Sequence, residues 1–188
     1  MNKAEYLSVL VSIIIGMGLS HLLSSVARLI VARERVRVYW VSLLAAAVAF
    51  LAHVQFWWST YDYDEAIRGN FFSFLVFLLA PILLYLMAVL VFPDFDDDVA
   101  LVSMYDHYYS VRPWFFAVGA AAVAANVVRN VAVQGAPLLT QDRPFEAGFL
   151  LLMLSGALVR NPRFHAVLNI VMLMAFCAMV VFTSLEPG

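Results

Sequence analysis

Long apolar stretches, broken by short polar segments, run through nearly all of the 188 residues and decide the medium in which this chain folds. Hydrophobic residues make up 64% of the sequence and charged residues only 13%, against the roughly one-quarter charged residues of soluble domains. Mean hydropathy is +0.90. Lipid offers no partner to an exposed N–H or C=O, so such stretches are expected to cross a bilayer as helices. A β-barrel would need short alternating segments, whereas these are continuous and rich in Leu, Ala and Val.

A hydrocarbon core of ~30 Å takes about 20 helical residues, and six spans are predicted: Tyr6 to Val31, Val38 to Thr60, Phe71 to Phe92, Trp114 to Val133, a short one from Pro144 to Arg160, and Phe164 to Thr183. Breakers fall between them at Pro93, Pro113, Gly135, Pro137 and Asn161-Pro162. Pro81 lies inside the third span and should kink it. The expected fold is all-α: one polytopic membrane domain over residues 1–188 with six transmembrane helices. A short amphipathic interfacial helix, Val99 to Arg112, should link the third and fourth. Leu101, Val102, Tyr105, Tyr108, Tyr109 and Arg112 share one side of it, Ser103, Asp106, His107 and Ser110 the other, and Asp97 or Asp98 should cap it.

Orientation follows from arginine placement. With the amino terminus outside, Arg28, Arg33, Arg35, Arg37, Arg112, Arg160 and Arg163 are cytoplasmic, against Lys3, Arg68 and Arg143 outside, so the positive-inside rule puts both termini outside. A cleavable signal peptide is the competing reading of the first span, with Ser25 and Ala27 as small residues. Lys3 is offset by Glu5, however, and four arginines follow the apolar run, the wrong distribution for cleavage. Ten arginines to one lysine and no visible targeting signal point to a bacterial cytoplasmic membrane. Aromatic belts are expected at Trp57, Trp58, Tyr61 and Tyr63 outside and at Tyr39, Trp40 and Trp114 inside.

Several chemistries lack their residues. Cys177 is the only cysteine, so neither an intramolecular disulfide nor a thiolate metal site can form, and it is expected to pack inertly. A net charge of −2 argues against nucleic-acid binding. Asp94, Asp96 and Asp98 begin like a calcium loop, but Val99 stands where glycine is needed and Tyr105 where the bidentate glutamate belongs. Ser155-Gly156 and Gly18-Leu19-Ser20-His21 each lack a glycine that intramembrane serine proteases of the rhomboid type carry, and a retinal protein needs a lysine within a span. There is no HExxH and no phosphate loop. A haem between His21 and His53 is disfavoured because the predicted spans offset the two rings by roughly 10 Å along the membrane normal. No cofactor, metal or enzymatic role is expected.

Three polar patterns remain. Ala4, Ser8, Ser12, Gly16, Ser20 and Ser24 form a small-residue stripe along the first span, which predicts a tight helix crossing, within the chain, in a homodimer or with a partner membrane protein. With six spans in this length, the stripe resembles the vitamin-binding subunits of certain bacterial importers, which dock a partner through such a face. Their inward amino terminus departs from the orientation above. Near the cytoplasmic end of the same span, His21, Ser24, Ser25 and Arg28 project into one sector, either as a site or as an interhelical hydrogen bonder beside a snorkelling arginine.

The third pattern is the sharpest. Asn126, Arg129 and Asn130 share a face of the fourth span, with Glu146 of the fifth as the expected ion-pair partner of Arg129. His53 and Gln55 of the second span should orient a ligand there. The expected function is therefore non-enzymatic binding or permeation of an anionic small solute or lipid headgroup at Arg129. An accessory subunit docking through the stripe is the alternative.

Overall fold

The computed structural model describes residues 3–59, 71–95, 101–133, 135, 137 and 143–185, and their side chains apart from 3–6, 133 and 181–185. The chain is all-helical: α1 (Lys3–Val31), α2 (Trp40–Ser59), α3 (Phe71–Val91), α4 (Met104–Val128), α5 (Arg143–Leu158) and α6 (Pro162–Leu185). Five helices are long and apolar enough to cross a membrane, namely all but α5. The 16 residues of α5 reach only about 24 Å at ~1.5 Å per residue, short of a ~30 Å core.

The amphipathic segment does not form a helix of its own. From Met104 it runs without a break through Pro113 into the apolar part of α4. One proline removes one hydrogen bond and its ring crowds the carbonyl four residues back, a defect membrane helices absorb. The first turn is capped by Ser103, whose Oγ accepts from the Asp106 amide at 3.3 Å. Asp97 and Asp98 lie outside the described residues, as does the rest of the acidic run beyond Phe95. Helix α3 likewise continues through Pro81, and the Leu90 carbonyl at its end bonds His107 Nε2 at 3.0 Å. A two-residue parallel ladder, β1 (Val36–Arg37) on β2 (Val102–Ser103), ties the α1–α2 connection to the start of α4.

Packing runs opposite to the stripe. The buried face of α1 is Leu7, Val11, Ile15, Leu22, Ser25 and Leu29, whereas Ser8, Gly16, Ser20 and Ser24 are exposed. Nothing lies within 4 Å of a β-carbon built on Gly16, so the predicted crossing within the chain is overturned. Ser12 alone is engaged, accepting from Trp57 Nε1 at 3.4 Å. The close helix approaches occur at other glycines. A β-carbon on Gly18 would come within 2.3 Å of His53 Nε2, on Gly119 within 2.7 Å of Met153 Sδ, and on Gly156 within 2.6 Å of the Phe116 ring. Lipid and protein interior are equally apolar, so van der Waals fit at such points, not hydrophobicity, selects the inward face.

Trp40, Trp57, Trp58 and Trp114 are exposed on the bundle surface, but Tyr39 turns inward and packs edge-on against Tyr105 and Tyr108. Tyr61 and Tyr63 lie outside the described residues. Cys177 is exposed, not packed.

Candidate functional site

Where α4 ends, the helix widens into one π turn, Arg129–Val133, a local form common at functional sites. The Arg129 amide bonds the carbonyls of both Ala125 and Asn126. Its guanidinium is then gripped by a side chain of the preceding turn and by that of the next residue: Nη2 donates to Asn126 Oδ1 at 2.6 Å and to Asn130 Oδ1 at 3.2 Å, and Nε donates to Asn130 Oδ1 at 3.3 Å. Both asparagine amides donate onward to Glu146 Oε1, at 2.9 and 3.4 Å. Arg143, three residues before Glu146 on α5, forms an ion pair with its other oxygen. The asparagines thus link Arg129 to Glu146, where the sequence predicts a direct ion pair. Phe56 and Phe77 close the group, their ring centres 5.1 and 5.4 Å from the guanidinium carbon.

Arg129 is only 1% exposed, yet it lines a cavity of about 330 Å³ between α2, α3, α4, α5 and α6. One end is polar, formed by Gln55, Ser59, Asn126, Arg129, Asn130 and Glu146. The walls are apolar, from Val48 and Ala52 on α2 through Leu84 and Met87 on α3 to Met153 and Phe176. The cavity is partly open, and its apolar walls suit an apolar occupant better than water.

Gln55 reaches this cavity but His53 does not. The two residues are ~200° apart around a helix, and His53 faces α1 instead. It is completely buried, its Nδ1 2.7 Å from the Ala49 carbonyl and its Nε2 against Gly18. His53 therefore leaves the predicted ligand group. Because it sits level with Gly18, one turn from His21, the two rings are offset by only about 4.5 Å along α1, not the larger separation inferred from span midpoints. His21, Ser24 and Arg28 are not gathered into a site. Ser24 and Arg28 are exposed and His21 is half-buried; Arg28 reaches only Ser25 Oγ, at 3.5 Å.

A second buried polar group, unforeseen from sequence, lies at the other end of α4. Tyr108, His165 and Asn169 are buried together. His165 Nε2 lies 2.8 Å from the Val159 carbonyl and so carries the hydrogen, leaving Nδ1 to accept from the Tyr108 hydroxyl at 2.9 Å. Asn169 Nδ2 donates to that hydroxyl oxygen at 3.0 Å and to the His165 carbonyl at 2.8 Å. Arg112 Nη1 donates to the carbonyls of Gly156, at 3.1 Å, and Val159. Arg112 and His165 together satisfy carbonyls at the α5 C-terminus, where a cation also suits the helix dipole. The sequence does hold a signal for this group, because Tyr108/Arg112 and His165/Asn169 are polar pairs at four-residue spacing in otherwise apolar helices.

Among the described residues no cluster of three or more His, Cys, Asp or Glu could hold a metal ion. Compared with protein families, curated proteins and solved structures, the chain matches none, so its function is read from this geometry.

Proposed function

We propose that the protein crosses a bacterial cytoplasmic membrane six times, with both termini outside, and binds or conducts an anionic small solute or lipid headgroup at the Arg129 end of its cavity. Helix α5 supplies the sixth crossing; local bilayer thinning at modest cost accommodates its length. The observation that carries the reading is a fully buried guanidinium lining a partly open cavity between α2, α3, α4, α5 and α6. A buried cation in an apolar bundle is expensive, and its cost is offset here by a network of side-chain partners. Native mass spectrometry of gently extracted protein tests this. Arg129→Leu that stays folded by circular dichroism but loses a co-purified small molecule supports binding. Collapse of the bundle instead assigns Arg129 to structure alone.

A second reading is favoured by the exposure of Ser8, Gly16, Ser20 and Ser24 on the outer face of α1: an accessory subunit that docks a partner, or a second copy, through the stripe. Under it, Gly16→Leu releases the partner or splits the dimer. Unchanged oligomeric state and unchanged bound species would sink it.

A further inference from the structure

We infer that the ligand is a single-chain anionic amphiphile, its carboxylate or phosphate head on Arg129 and its alkyl chain running along the cavity to a floor made by Met87, Gly119 and Met153. The inference rests on the Arg129 binding reading and adds the class of ligand. Three observations carry it. The cavity is polar at one end only, so a ligand that fills it must be polar at one end only. It is long: along α4 its lining runs from Asn130 back to Gly119, and along α2 from Ser59 back to Val48, each about 16 Å at ~1.5 Å per residue. It is also narrow, since 330 Å³ lies at the low end of the roughly 300–1,000 Å³ of ligand pockets. That volume holds one alkyl chain.

The head is specified by charge. A guanidinium offers two parallel donors that match carboxylate or phosphate oxygens. Glu146 stands nearby, but both its oxygens are engaged, one by the two asparagine amides and one by Arg143. A small inorganic anion would leave the apolar walls uncovered.

The floor specifies length. Gly119 lies about 15 Å along α4 from Arg129, and a β-carbon there would meet Met153 Sδ at 2.7 Å and Met87 Sδ at 3.3 Å. Two flexible thioethers lying over one glycine form a stop that a neighbouring substitution can raise or lower.

The test is equilibrium binding of octanoate, dodecanoate, hexadecanoate and dodecyl phosphate to the full chain in nanodiscs, with empty nanodiscs subtracted and acetate, inorganic phosphate and dodecanol as controls. Saturable binding with an optimum chain length is expected. Acetate and phosphate should bind at least ~100-fold more weakly, because each buried methylene is worth about fourfold. Arg129→Gln should weaken dodecanoate ~10-fold and leave dodecanol unchanged. Met153→Ala should move the optimum to longer chains and Gly119→Ala to shorter ones; if the glycine variant does not fold, the methionine variant decides. Acetate or phosphate binding as tightly as dodecanoate, and depending on Arg129, overturns the amphiphile while the anion reading survives. Dodecanol equal to dodecanoate, or no probe bound, overturns both. An optimum that Met153→Ala leaves unmoved overturns the floor.

Discussion

At one end of α4, Arg112 directs its guanidinium at backbone carbonyls of α5; at the other, about 25 Å along the same helix, Arg129 is held by side-chain amides and faces a cavity. Both arginines are buried, Arg112 against carbonyls of α5 and Arg129 beside Phe56 of α2 and Phe77 of α3. What differs is the kind of group that each meets. Arg112 meets the C-terminus, where carbonyls have no intrahelical partner, and it is consumed in supplying one. Arg129 meets side-chain amides and aromatic rings, and is linked to Glu146 in the first turn of α5 only through Asn126 and Asn130. A buried cation is thus a cap when it meets carbonyls, and a candidate binding group when its partners are side chains that can be rearranged.

The contrast can be broken most forcefully at the closed end. Arg112→Leu should cost about 3 kcal/mol, because a charge-assisted donor is lost and buried carbonyls at the α5 terminus are left short of partners. Thermal unfolding in detergent would show it as the largest fall in midpoint of any variant considered. Next comes Gly18→Leu, whose side chain must push His53 aside and part α1 from α2, for ~1–3 kcal/mol of overpacking. A smaller loss, about 1 kcal/mol, is expected for Tyr108→Phe, which removes the hydroxyl between His165 and Asn169 without changing shape. Arg129→Gln should be comparable to or milder than that in midpoint, since an amide still bonds the asparagines, and its effect belongs in ligand affinity. A midpoint for Arg129→Gln as low as that of Arg112→Leu would erase the difference between the two ends. Gly16→Ala sharpens the comparison from the other side: with nothing near its β-carbon, it should stay within about 0.5 kcal/mol of the parent.

The medium was legible in the sequence, and so were five long apolar helices, because length and apolarity alone define a membrane helix; the short span expected from Pro144 to Arg160 is a 16-residue helix that does not meet the length. The Arg129 group was legible in part. Arg129 and Asn130 lie three and four residues after Asn126 and share a face with it, and Gln55 lines the same cavity. His53 was misassigned although a ~200° separation from Gln55 forbids both from facing one cavity. The stripe misled for a deeper reason. In water the polar face of a helix declares itself, but in lipid the outer face is as apolar as the core, and periodicity does not say which side turns inward. Leu7, Val11 and Ile15 are buried while Ile13 and Met17 of the same helix are exposed. The continuity of α4 through Pro113 was hidden because the polar start of the helix and its apolar remainder read as two elements, and only the burial of Tyr108 and Arg112 against α5 and α6 joins them.

Cysteine accessibility tests the open-and-closed distinction most directly. With Cys177 replaced by alanine, Ala122→Cys places a thiol on the cavity wall and Asn169→Cys places one in the closed group. The Ala122 variant is expected to react with a membrane-permeant maleimide and to be protected by dodecanoate, while the Asn169 variant stays unlabelled. Equal labelling at the two positions, or labelling at Ala122→Cys that dodecanoate leaves unchanged, would contradict a ligand-accessible cavity headed by Arg129.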